Sequence, residues 1–256
     1  MNYFYCLLGF FFIATSAGAQ TMEIPTRPGV VQKLLVSNTP GAKASLILFP
    51  GGHGGLQLYA NGSMKWGDNN FLVRTRQNFV DQGFNVIILD APSDRQSPPF
   101  LQGFRQRPEH VADIKAVIAW VRETSKLPVW LVGTSRGTQS VAYIATELTG
   151  PEGPDGIVLT ASILADDKSR SVLAMPLGKI HIPALIVHHE QDGCEHCPFA
   201  LAPQVMDGLR NAPRKELLAV TGGSSSGDAC KPAAYHGFNG IEQDVVQKIG
   251  AWLVNK

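Results

Sequence analysis

A chain of 256 residues with 44% apolar and 17% charged side chains has enough material for one substantial core. One large α/β domain suits that length better than two small ones. A formal net charge of +1, with no run of lysine or arginine, argues against a nucleic-acid or anionic-membrane surface.

The first nineteen residues, MNYFYCLLGFFFIATSAGA, carry no charged side chain. An apolar centre at 7–13 leads to Ala17-Gly18-Ala19, the small-x-small pattern of a signal-peptidase site. That centre is too short to span a bilayer comfortably. Residues 1–19 are therefore expected to be a cleaved export signal. Residues 20–256 are expected to form one domain, periplasmic or secreted, with no stable membrane insertion; an apolar amino-terminal strand is the alternative. Loss of Cys6 would leave Cys194, Cys197 and Cys230, an odd count in a compartment that permits disulfides.

The first buried strand is expected at 45–49. It runs into Pro50-Gly-Gly-His-Gly-Gly55, four glycines in five residues, where backbone N–H groups can approach an anion with no side chain between. A phosphate loop is excluded by the missing lysine and serine or threonine of that motif. A weak helix at about 71–82 and a strand at 86–89 follow. The loop 91–107, with Pro92, Pro98, Pro99, Phe100 and Phe104, reads as a wall beside a site. Val111, Ile114, Val117, Ile118 and Val121 share one helical face, with His110 before them read as solvated.

The run 129–132 is a buried strand, and a helix is expected at 137–148. Between them stands Gly133-Thr134-Ser135-Arg136-Gly137. A serine flanked by glycines at a strand-to-helix turn is a nucleophile elbow: a tight, strained turn lifts the hydroxyl above the sheet, and the following helix adds backbone N–H groups. An inert turn serine is the alternative.

Strands at 157–160, 184–187 and 217–220 complete the alternation, with a weak helix at 198–210 and little room for an inserted lid between 161 and 182. The final helix carries Ile241, Val245, Val246, Ile249, Trp252 and Leu253 on one face. Strands alternating with helices give a doubly covered, mostly parallel sheet that binds ligands beyond its strands' carboxyl ends.

A serine hydroxyl needs a base. His236, in Ala234-Tyr-His-Gly-Phe238 between the last strand and the last helix, lies on the same sheet edge as Ser135 and is read as that base. Its acid partner is read as Asp192, in the turn after 184–187. Glu190 is the rival, and Asp90, Asp94, Asp166 and Asp167 are more distant. The chain order Ser135, Asp192, His236 favours Asp192. The N–H of Gly52 is expected to pair with that of Arg136 as an oxyanion hole, with His53 as the alternative donor.

Taken together, the glycine loop, G-T-S-R-G, H-H-E-Q-D and Y-H-G-F resemble an α/β-hydrolase, most loosely the dienelactone-hydrolase-like and related exported esterases. The resemblance spans nearly all of the mature chain. It implies the α/β-hydrolase fold with no sizeable cap domain. It departs in the His53-Gly54 pair, embedded in a longer glycine run, and in a serine where dienelactone hydrolase has cysteine.

Serine, histidine and aspartate with an oxyanion hole point to acyl transfer through an acyl-enzyme. Hydrolysis of a small or extended carboxylic ester is the expected outcome, with no cofactor. Peptidase, thioesterase or acyltransferase activity, or a non-catalytic binding protein on the same scaffold, are the alternatives. Asp192 and His236 have to meet, so their loops are neighbours, and Cys194 and Cys230 beside them are expected to form a disulfide, leaving Cys197 free. Cys194 with Cys197 is the rival pair. His188, His189, Cys194, His196 and Cys197 form a dense ligand-like cluster. No second Cys-x-x-Cys half-site accompanies it, so no metal is expected.

Overall fold

The computed structural model describes residues 18–166 and 171–255. Most of the expected export signal (1–17, with Cys6) and Asp167 lie outside the described residues. Six strands coincide with the apolar runs: β3 (Ser45–Phe49), β4 (Asn85–Pro92), β5 (Val129–Thr134), β6 (Gly156–Thr160), β7 (Ala184–His189) and β8 (Lys215–Val220). An antiparallel hairpin, β1 (Gln20–Arg27) and β2 (Val30–Ser37), precedes them and was not read from the sequence. The sheet order is β1-β2-β4-β3-β5-β6-β7-β8, with β2 antiparallel to β4 and every later pair parallel.

Successive residues of each central strand point to opposite faces, and both faces are apolar. Ile47, Phe49, Leu131 and Ile186 pack under α3 (Pro108–Ser125), α4 (Gly137–Glu147) and α5 (Ala202–Gly208). Leu46, Leu48, Val132 and Val187 pack under α1 (Phe71–Arg74), α2 (Arg76–Asp81) and α6 (Glu242–Val254). That double burial is why these strands read as continuous apolar runs. β8 closes the sheet and departs from the rule, since Lys215, Glu216 and Ala219 are exposed.

The helix expected at 71–82 is broken at Thr75, whose Oγ1 donates to the Phe71 carbonyl at 2.7 Å, a side-chain bond that competes with the helical ladder. Among the described residues, the β6–β7 connection holds only two short 3-10 turns, so no sizeable cap covers the sheet edge. No helix among them is long and apolar enough to cross a membrane.

Candidate active site

Ser135 follows β5 directly, in the turn into α4, at φ +51°. A non-glycine residue pays about 1–2 kcal/mol to sit in this left-handed region, so its surroundings have to hold it. They do: Ser135 N–H donates to Thr160 O at 3.0 Å, and its carbonyl accepts from Thr138 N at 2.9 Å and Thr138 Oγ1 at 2.6 Å. The flanking glycines are steric necessities. A Cβ on Gly133 would stand 2.7 Å from Gly137 O, and one on Gly137 would collide with the Phe49 carbonyl.

Asp192 lies in the turn after β7 and His236 in the 3-10 turn Tyr235–Gly237 after β8. His236 Nδ1 is 2.9 Å from Asp192 Oδ2, and both residues are buried. Asp192 Oδ1 accepts from Cys194 N at 3.0 Å. A second histidine faces the same carboxylate: His188, fully buried, places Nε2 2.9 Å from Cys197 O and 3.6 Å from Asp192 Oδ2. Burial pushes the Asp192 carboxyl up, but hydrogen bonds from His188 and His236, the His236 charge and the Cys194 N–H outweigh it and hold it at about 2. Asp192 is thus a carboxylate throughout the neutral range, placed to accept a hydrogen bond from His236 Nδ1.

His236 and Ser135 line one cavity of about 440 Å³. Among the described residues no hydrogen bond joins the two side chains. That is common for such pairs without substrate, because the contact tightens only in the complex. The glycine loop forms another wall, with Trp66 and Asn70 beside it. Among the described residues the N–H groups of Gly52 and His53 donate to no protein acceptor, which leaves them available to an anion. Arg136, the residue after the serine, occupies the N-cap position before α4, and its side chain pairs with Asp166 at 2.6 Å.

The rival carboxylates are engaged or remote. Glu190 is exposed at the end of β7. Asp90 accepts the backbone N–H groups of Leu56, Gln57, Leu58 and Ala91, which anchors the chain leaving the glycine loop. Asp94 pairs with Arg27.

Cys194 and Cys230 form a disulfide, and Cys197 is a buried free thiol. Burial, with the Asp192 charge adding, pushes that thiol up and makes it a poor nucleophile. The ligand-like cluster is dispersed: His188 bonds Cys197 O, His189 bonds Gly222 O and His196 bonds Ala165 O. A different trio, Cys194, Cys197 and His236, does approach within 4.8 Å, but its first sulfur is committed to the disulfide.

Two expectations need correction. His110 is not solvated. It is 2% exposed, edge-on to Phe49 and Phe104, with Nε2 3.0 Å from Ser140 Oγ. The loop 91–107 does not line the cavity but stands one layer behind it. Phe100 stacks on His53 at 4.4 Å, and Leu101 N–H donates to His53 O at 3.1 Å. The visible walls come instead from 65–71 and 230–232, where an exposed tryptophan, Trp66, was the available signal.

No protein-family model and no curated protein sequence matches the chain. Solved structures do. An esterase of Pyrococcus furiosus superposes with a TM-score of 0.66 at 13% identity, over 99% of this chain and 98% of that one. A dienelactone hydrolase from Anabaena variabilis gives 0.64 at 13% identity, over 93% and 97%. An α/β serine hydrolase homologue from Coxiella burnetii gives 0.61 at 18% identity, over 92% and 97%. These likenesses, covering nearly whole chains, establish the α/β-hydrolase fold.

Proposed function

We propose that the protein is a serine hydrolase that cleaves carboxylic esters through an acyl-enzyme. The observation that carries this reading is the buried Asp192–His236 pair, 2.9 Å apart, whose histidine lines the same cavity as a serine held at φ +51°. In the proposed reaction Ser135 Oγ attacks the ester carbonyl and passes its proton to His236 Nε2. The oxyanion forms between the N–H of Arg136 and that of Gly52 or His53. Collapse expels the alcohol, which takes the proton from His236, and leaves an acyl group on Ser135. Water then attacks by the same route, giving the acid and free serine.

The esterase and dienelactone hydrolase among the similar structures support an ester substrate, and an acylaminoacyl peptidase among them makes an amide the reading to test against it. The absence of a sizeable cap among the described residues suits small or extended substrates. Residues 1–19 are proposed to be an export signal, a reading compatible with the Cys194–Cys230 bond. The test is a panel of p-nitrophenyl esters of rising chain length, run beside an aminopeptidase substrate on the purified protein. Turnover of esters with none of the amide is the expected result; the reverse would make the protein a peptidase.

A further inference from the structure

Behind the glycine loop lies a buried guanidinium with no carboxylate partner among the described residues. Arg105 is 5% exposed. Its Nη1 donates to Ser140 Oγ at 3.0 Å, and its Nη2 to Pro50 O at 3.1 Å and Gly52 O at 3.3 Å. Among the described residues no acidic side chain pairs with it. Burial, with repulsion from Arg136 added, pulls its pKa down to about 9. The same Ser140 Oγ lies 3.0 Å from His110 Nε2. Burial, then the charges of Arg105 and Arg27, keep that ring neutral, with a pKa of about 3. An unpaired buried cation is a liability to folding, and an apolar side chain of similar length would serve the core better.

What the cation does hold is the loop. A trans peptide sets N–H antiparallel to C=O. With the Pro50 carbonyl turned to Arg105, the Gly51 N–H faces away; with the Gly52 carbonyl turned there, the His53 N–H faces away. Gly52, between the two pinned carbonyls, sits at φ +60°, and four glycines in five residues leave the peptide planes here free to rotate unless pinned. The Leu101 bond to His53 O and the Phe100 stack hold the far side of His53, while Arg105 holds the near side. The fit is close, since a Cβ on Gly54 would stand 2.5 Å from Arg105 Nη2. Arg105 does not line the cavity, whereas Pro50 to Gly55 do.

We propose that Arg105 is a positioning residue for the reaction, fixing and polarising the Gly52–His53 peptide group so that the His53 N–H meets the developing oxyanion. This rests on the ester-hydrolase reading above. Donors aimed in advance at a developing charge act on the transition state more than on the bound ester. Arg105 therefore governs kcat rather than KM.

The test compares wild type with Arg105→Met and Arg105→Lys. One arm measures steady-state ester kinetics and inhibition by an alkyl trifluoromethyl ketone, which adds Ser135 and places an oxyanion in the hole. In Arg105→Met, kcat is expected to fall about 10- to 100-fold, below the loss for deleting a donor outright. KM should change little and ketone affinity should fall in parallel with kcat. Arg105→Lys, which keeps the charge but not the fork, should lie between. The other arm records the amide resonances of Gly51 to Gly55 in the conservative Arg105→Lys. It expects these amides to shift and broaden while those around Asp192 and His236 stay in place. A folded Arg105→Met with wild-type kcat, or a kcat loss with unchanged ketone affinity, overturns the proposal. So do glycine-loop amides that ignore Arg105→Lys. If wild type turns over no ester, the ester-hydrolase reading fails, and the amide arm still decides whether Arg105 organises the loop.

Discussion

Removing the Cys194–Cys230 bond probes fold and site together. The two cysteines are 36 residues apart, and the chain-entropy relation gives about 4 kcal/mol for closing a loop of that length. For a chain of this size each kcal/mol moves the melting temperature by roughly 2–4 °C, so Cys194→Ser with Cys230→Ser is expected to melt roughly 8–15 °C lower. The double replacement also denies Cys197 a new partner. Activity should fall with stability. Cys194 stands two residues after Asp192, and Cys230 six residues before His236, and the Cys194 N–H itself bonds the Asp192 carboxylate. The assay is circular-dichroism melting with and without a phosphine reductant, beside ester turnover below the melting range. Reductant should bring wild type down to the variant and leave the variant unmoved. A double variant that melts within 2 °C of wild type with intact kcat would refute both the entropic and the positioning argument.

Asp192→Asn is expected to lower kcat by several orders of magnitude, because an amide cannot stabilise the imidazolium, while Glu190→Gln leaves it near wild type; the opposite ranking in ester kinetics would move the acid to Glu190. Gly137→Ala is expected to be unfolded or inactive in the same assay and in melting, since its methyl would enter the Phe49 carbonyl. The His110 ring, buried and held at about 3, refuses a proton that the unfolded chain takes up near 6.5. Its contribution is complete above pH 6.5 and is lost as the pH falls toward 3, an effect of roughly 3–5 kcal/mol at most. Denaturant titrations at pH 7 and pH 4.5 should therefore show a smaller loss in His110→Gln than in wild type; equal losses would count against it.

The central sheet was legible in the sequence because burial on both faces leaves runs such as Leu46 to Phe49 with no polar position. The β1–β2 hairpin was not. β1 lies at the sheet margin and alternates Met22, Glu23, Ile24 around Pro25 and Thr26. In β2 the polar pair Gln32 and Lys33 interrupts a strand whose Leu34 to Val36 are buried on both faces. The elbow was legible because its constraint is local: strand, two glycines and helix follow one another without a break from Val129 to Glu147. Asp192 and His236, by contrast, are 44 residues apart and were read only from the loops they occupy after successive strands, with chain order deciding Asp192 over Glu190. Arg105, His110 and His188 went unrecognised for a common reason. A polar side chain buried by distant elements looks, in sequence, the same as one facing solvent. Nothing local in Gly103-Phe-Arg-Gln-Arg107 separates Arg105 from Arg107, yet the first is buried and the second exposed.

The most direct test of the account is Ser135→Ala, assayed for p-nitrophenyl ester turnover and for labelling by a fluorophosphonate, with melting as a control. The hydroxyl contributes little to the core, so the variant should melt close to wild type. It should lose several orders of magnitude in kcat and all labelling. A folded Ser135→Ala that still hydrolyses esters or takes the label would contradict the mechanism at its first step.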